Sequence, residues 1–113
     1  QNNIDEEIYI EVKNVTLSLK KGIAEFPDAI TERGRKHLTE LQKIINKKTR
    51  AIMLYLIQRD DCKYFRIAKE IDGKYNSILK KAIKSGVEIF CYSCKFKNSK
   101  IQIDKKIKFM ENE

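Results

Sequence analysis

The chain has 113 residues and a mass of 13.3 kDa, which is enough for one domain with a modest core and too little for two. Its longest apolar run, AIMLYLI at 51–57, is far shorter than a membrane span, so a membrane protein is not expected. The net charge of +8 favours a polyanionic partner such as nucleic acid. Lysine supplies most of that charge, which suits phosphate contacts with little sequence preference. Composition drift in an A/T-rich genome is the alternative explanation for the bias.

The cysteines and the first residue bear on the origin of the chain. Three cysteines without a secretory signal fit a reducing cytoplasm better than a disulfide framework. The sequence starts at Gln1, so we expect a piece of a longer protein.

The first half of the chain predicts three short strands and a helix. The strands are expected at 8–13, 15–19 and 22–26, arranged as a meander. The helix is expected at 31–46, with Gly34, Leu38, Leu41 and Ile45 on its buried face. Gly34 would let this helix approach a strand closely.

The second half predicts a central strand at 51–57, apolar on both faces, and a helix that Asp72 caps and Gly86 ends. Residues between the two are expected to form a loop. Strands are expected at 87–96 and 100–103. The order βββ-α-β-α-β(β) indicates an α/β domain, with a mixed sheet and helices packed on it.

Glu11 and Lys13 lie two residues apart in the first strand and therefore share one face. Such a pair can bind a hard divalent cation through the carboxylate while the ammonium orients water or a phosphate oxygen. A surface ion pair is the simpler alternative.

The segment 26–38 places charged side chains where a strand joins a helix. Backbone N–H groups at a helix start bind phosphate, and Arg33 and Arg35 could add a fork of donors. In the alternative interpretation, Thr31 or Asp28 caps the helix, and His37 borders the core with an ordinary partner. Glu32 would then favour the helix dipole.

Cys91 and Cys94 form a CxxC pair on a predicted strand, where the two side chains point to opposite faces. Because no second Cys/His pair is present in the sequence, zinc is not expected and both thiols are predicted to fill apolar space.

Four segments, YIEVKNVTL, EFPDAITERGRKHLTEL, LYLIQRDD and GVEIFCYSCK, resemble the sugar fermentation stimulation protein A family over residues 8–103. The resemblance implies a restriction-endonuclease-like fold. Residues 1–113 would be the C-terminal PD-(D/E)xK nuclease-like domain of a longer protein. An N-terminal OB-like domain and the first strand of the nuclease core would be absent.

The resemblance also implies roles for individual residues. Glu11 would be a metal ligand for Mg²⁺ or Mn²⁺ in the full-length protein, Lys13 would position water, and Gln58 would support them. The first acidic ligand would lie on a strand before residue 8; Asp5 is not expected to replace it, so this fragment should be inactive and hold Mg²⁺ poorly. Further candidates come from the family's longest motif: phosphate contacts by Arg33, Arg35, Lys36 and His37, and a cleft lined by Asp28, Thr31 and Glu32.

Three functions remain open at the level of sequence. The resemblance favours a cytoplasmic DNA-binding regulator of sugar (maltose) metabolism with little sequence preference. The alternatives are a Mg²⁺-dependent nuclease and a non-catalytic protein-interaction domain.

Overall fold

The computed structural model describes residues 6–112, and within that range the chain forms eight strands and two helices. The strands are β1 Glu7–Val15, β2 Leu17–Lys20, β3 Ile23–Phe26, β4 Thr49–Ile57, β5 Tyr64–Ile67, β6 Glu88–Lys97, β7 Lys100–Lys106 and β8 Lys108–Phe109. The helices are α1 Glu32–Ile44 and α2 Gly73–Ser85. Neither of these helices is long and apolar enough to cross a membrane.

The first sheet has the order β1-β4-β6-β7. β1, β4 and β6 are parallel, and β7 returns antiparallel to β6. The predicted central strand, β4, lies between β1 and β6. Its register places Glu11 beside Met53 and Lys13 beside Tyr55. The predicted α/β fold with helices packed on a mixed sheet is confirmed.

The second sheet has the order β2-β3-β5-β8 and corrects two predictions. β2 and β3 form a hairpin, but β1 pairs with β4, so the first three strands are not a meander. The segment predicted as a loop contains β5, which pairs with β3. With four residues, β5 is too short for alternation to reveal it.

Both helices begin at the predicted caps. The Thr31 side chain accepts a hydrogen bond from the Gly34 amide, and Asp72 accepts one from the amide of Tyr75. Gly86 ends α2 at φ 109°, a conformation that glycine adopts without strain. α1 ends earlier than predicted, because Ile45 is already extended.

The core lies between the two sheets and the helices. Ala51, Met53, Tyr55 and Ile57 of β4 point into it, and we call this side of the first sheet its inner face. The alternate residues Ile52, Leu54 and Leu56 define the outer face.

Gly34 is buried as predicted, but its neighbour differs. A Cβ there would lie 3.1 Å from Cε2 of Tyr75, so the close approach is to α2 and not to a strand.

Candidate functional site

Three side chains from β1 and α1 converge at the edge of the inner face. Nζ of Lys13 donates to Nδ1 of His37 over 2.8 Å and lies 3.5 Å from Oε2 of Glu11. Nδ1 of His37 is 3.2 Å from the same carboxylate oxygen. The three groups form one compact cluster, which the sequence had placed in two separate candidate sites.

Strand and helix periodicity explain this convergence. Glu11 and Lys13 follow every second residue of β1, and Val15, the next in that row, is buried in the core. Leu38 buries α1 against the same core, which turns the preceding residue, His37, toward β1. The cluster is therefore anchored on two rigid elements.

The cluster is partly open to solvent. The side chains of Lys13, His37 and Glu11 are 14%, 20% and 33% exposed. A lysine ammonium carries three hydrogens, and Lys13 directs one of them to His37 while Glu11 forms an ion pair with it. A partly exposed ammonium with hydrogens left over can also donate to a ligand such as a phosphate oxygen.

Two buried tyrosines lie behind the cluster. Tyr55, the register partner of Lys13, has its hydroxyl 2.6 Å from that of Tyr75 on α2. Burial raises the pKa of Tyr75 well above its usual value, and the negative charge of Glu11 raises it further, so both hydroxyls stay protonated. Sequence reasoning missed this pair, because each tyrosine looked like an ordinary member of an apolar row.

Arg33 and Lys36 extend the positive surface beside His37. Residues four apart on a helix share a face, which puts Arg33 one turn from His37, while Lys36 precedes it directly. Both side chains are exposed on α1. Their placement agrees with the predicted phosphate contacts, which stay predictions.

Arg35 has a structural partner in Asp72. Its Nε lies 3.1 Å and its Nη2 2.8 Å from Oδ1 of Asp72, whose side chain is fully buried. Asp72 also accepts from the Thr31 amide over 2.9 Å. Arg35 and Thr31 thus tie the start of α1 to α2, and the phosphate contact of Arg35 and the cleft role of Thr31 stay predictions.

The Asp72 carboxyl stays ionised in this setting. Burial alone would raise its pKa, but hydrogen bonds from Arg35, Thr31 and Tyr75 outweigh burial and hold the pKa below its usual value. The carboxylate thus occupies one backbone amide near the start of each helix, that of Thr31 at α1 and that of Tyr75 in α2.

Gln58 is separated from the cluster. It donates to Oδ1 of Asn14 over 2.8 Å, and Asn14 alternates with Lys13 along β1, so it points to the outer face. This arrangement places the Gln58 side chain with Asn14 and apart from Glu11 and Lys13, and its supporting role stays a prediction. Among residues 6–112, no hydrogen bond or ion pair joins Asp28 or Glu32 to the cluster either; both are exposed near the start of α1.

Cys91 and Cys94 are buried free thiols. Cys91 belongs to the core, and burial raises its pKa to about 12; burial also raises the pKa of Cys94. Both are therefore protonated near neutral pH and fill space, as predicted.

The family model described as "Sugar fermentation stimulation protein RE domain" matches residues 1–100. The chain belongs to the sugar fermentation stimulation protein family. The suspected resemblance is thereby confirmed.

Curated relatives in the family carry the name "Sugar fermentation stimulation protein homolog". The one from Nitrosococcus oceani is 48% identical over 96 residues, which cover 84% of this chain and 41% of that protein. The one from Pelagibacter ubique is 44% identical over 105 residues, covering 93% and 45%. The chain thus spans less than half the length of these relatives.

A solved structure of the same family is similar in fold. "The structure of Pyrococcus Furiosus SfsA in complex with Ca2+" superposes with a TM-score of 0.83 at 27% identity. The match covers 91% of this chain and 45% of that one.

The donors in this family member do not complete a divalent-metal site by themselves. Mg²⁺ prefers octahedral oxygen ligands, usually including one or two carboxylates. The part of the chain that the structure describes contains no group of three or more His, Cys, Asp or Glu side chains suited to a metal. Glu11 offers one carboxylate, with the Lys13 ammonium 3.5 Å away. A metal would need a further acidic ligand.

Proposed function

We propose that this domain binds the phosphate backbone of nucleic acid, with DNA as the main partner, as part of a sugar fermentation stimulation protein that regulates sugar metabolism. The observation that carries the proposal is the meeting of Lys13 and His37 beside the exposed Arg33 and Lys36. The relatives' names supply the link to sugar fermentation.

The chemistry of this surface favours backbone contacts over base reading. Lysine acts as a point charge toward phosphate, whereas base recognition commonly uses the flat fork of arginine. Arg35, which might have supplied a fork, is engaged by Asp72. Binding should therefore depend strongly on salt and weakly on sequence.

A salt titration with paired double variants tests the proposal. Arg33→Ala/Lys36→Ala should weaken binding and lower the slope of log K against log salt by about 2, since each phosphate contact contributes about 0.9. Lys81→Ala/Lys84→Ala removes the same charge from α2 and serves as the control. Equal losses in both variants, or a binding constant that does not vary with salt, would contradict the proposal.

A metal-dependent nuclease is the second candidate, favoured by Glu11 and Lys13 sharing the inner face beside His37. The Pyrococcus protein, which was solved in complex with Ca²⁺, supports a divalent-cation role in the family. Among residues 6–112, β1 has β4 as its only strand neighbour. A strand on its other edge, bearing a carboxylate, would supply the missing ligand.

Cleavage assays decide this second candidate. The complete gene product would be incubated with plasmid, single-stranded and branched DNA, or RNA, plus Mg²⁺ or Mn²⁺. Lys13→Ala should abolish cleavage, and Lys81→Ala should leave it intact. If the wild type cleaves none of these substrates, the proposal of a metal-dependent nuclease is wrong.

The 113-residue chain should bind Mg²⁺ poorly, because one partly exposed carboxylate beside an ammonium is a weak site. Calorimetric titration measures this directly. Tight binding that Glu11→Gln removes would show that the described donors suffice.

A further inference from the structure

The outer face of the first sheet carries exposed apolar side chains on β1, β6 and β7, beside the Arg50–Glu88 ion pair that joins β4 to β6. Six apolar residues on this face have a solvent-exposed fraction of 47–65%: Ile8, Ile10, Val12, Phe96, Ile101 and Ile103. Alternation along β1 places the first three opposite Glu11 and Lys13. Phe96 pairs with Ile101 across the β6–β7 hairpin, and Ile103 pairs with Cys94.

One wholly apolar row crosses three strands of the sheet. Val12 lies beside Leu54, which lies beside Phe90, and all three share the outer face. Leu54 and Phe90 are themselves partly exposed. This row therefore runs from the edge strand β1 to β6. Phe96, Ile101 and Ile103 form a second apolar group on the β6–β7 hairpin, and Lys106 beside Tyr92 lies between the two groups.

The described elements cover only the other side. The segments that connect β1 to β4 and β4 to β6 contain α1 and α2, and the buried residues of both helices belong to the core on the inner face. Parallel strands such as β1, β4 and β6 are normally buried on both faces. Among residues 6–112, no helix or second sheet lies on the outer face.

We propose that the outer face is the docking surface for the part of the family chain that lies outside the matched region. More than half of each relative lies outside the match, which covers 41% of the Nitrosococcus protein and 45% of the Pelagibacter protein. A segment joined covalently to the domain binds an apolar face at high effective concentration, which makes it a better occupant than a separate protein. This inference is independent of the proposed function.

Hydroxyl-radical footprinting with mass spectrometry tests the proposal, because it reports the accessibility of each side chain. Oxidation would be compared between the 113-residue chain and the complete product of its gene. Phe96, Ile101 and Ile103 should be oxidised at least fivefold less in the complete product. Leu19 and Ile30, exposed apolar residues elsewhere on the domain, should keep similar oxidation in both samples.

Paired variants show whether the protection comes from docking on this face. Ile10→Glu/Ile103→Glu in the complete product should restore the oxidation of Phe96. Leu19→Glu/Ile30→Glu adds the same two charges at exposed apolar positions and should leave Phe96 protected.

Each other outcome overturns the proposal. Equal oxidation in the two samples shows that nothing covers the face. Protection that grows with protein concentration assigns the face to a second copy. A complete product with no residues beyond these 113 removes the proposed occupant.

Discussion

Gly34 leaves no room for a methyl group between the two helices. An added Cβ would lie 2.9 Å from Cγ2 and 3.0 Å from Oγ1 of Thr31, and 3.1 Å from the Tyr75 ring. Thr31 caps α1 through that oxygen, so its side chain cannot turn away without losing the cap. A helical glycine is retained here because of space and not because of backbone conformation.

Gly34→Ala should lower the free energy of unfolding by about 1–2 kcal/mol, because overpacking and the disturbed cap outweigh a gain in helix propensity of about 1 kcal/mol. Denaturant unfolding measures the change. Gly73→Ala is the matched control, since a Cβ at Gly73 meets nothing within 4 Å. A stabilised Gly34→Ala variant would contradict the packing argument.

The tyrosine pair behind the cluster offers a second test at single residues. Tyr55→Phe or Tyr75→Phe leaves one buried hydroxyl without its partner at 2.6 Å and should cost about 1–2 kcal/mol. The double variant leaves no unpaired hydroxyl and should cost less than the two single changes together. A double-mutant cycle by urea unfolding measures this coupling, and additive losses would show that the hydroxyls do not depend on each other.

At the scale of elements, Asp72 joins α1 to α2. It caps α2 through Tyr75 while accepting from Thr31 and Arg35 of the other helix. Because its carboxyl pKa is lower in the folded chain than in the unfolded one, the ionised form stabilises the fold. That stabilisation is complete above the unfolded pKa of about 3.9 and is lost as pH falls through the folded pKa.

Asp72→Asn should therefore lower the free energy of unfolding by about 2–4 kcal/mol at pH 7, since it leaves the Arg35 charge without its partner. The deficit should begin to shrink below about pH 4, where Asp72 of the unfolded chain takes up a proton, and should disappear as pH falls through the lower pKa of the folded chain. Urea unfolding at several pH values checks both expectations. Asp28→Asn removes an exposed carboxylate and is the control; parallel pH profiles for Asp72→Asn and the wild type would contradict the assignment.

Element types were largely predictable from the sequence, whereas the partners of the elements were not. β4 has a long apolar run, and α2 has clear signals at both ends, Asp72 and Gly86. β1 was predicted correctly as a strand, but nothing in its own residues specifies β4 as its neighbour. Strand pairing is decided by packing across the whole domain.

In the candidate site too, the positions of single residues were predictable from the sequence, whereas their contacts were not. Alternation placed Glu11 and Lys13 on one face, while the contact with His37 depends on how α1 crosses β1. The contact of Arg35 with Asp72, 37 residues away, has no local sign in the sequence. Family motifs identify residues, but the three-dimensional packing decides which of them meet.

At the scale of the whole molecule, Cys62, Cys91 and Cys94 report on opening of the fold. All three are free and buried, and burial raises the pKa of each thiol. A thiol reagent attacks the exposed thiolate, so the folded chain should react slowly at about pH 7.5. Reaction should approach three thiols per chain in denaturant.

Reaction with a chromogenic disulfide reagent at increasing urea measures this behaviour. The rate should rise in step with unfolding measured on the same samples. Rapid reaction of one thiol without urea would reveal local opening, and Cys62→Ser would then show whether β5 and its neighbouring loop are responsible.

The register of β1 has a consequence for synthesis of the chain. Glu7 pairs with Thr49 and Val15 with Ile57, so each residue of β1 pairs with a residue 42 positions later in the sequence. β4 in turn pairs with β6, 36 positions further on. During translation, the strand that carries Glu11 and Lys13 leaves the ribosome before β4 and cannot pair with it until β4 has emerged. β1 is therefore synthesised early but joins the sheet late. Contacts between residues so far apart in sequence also make folding slow.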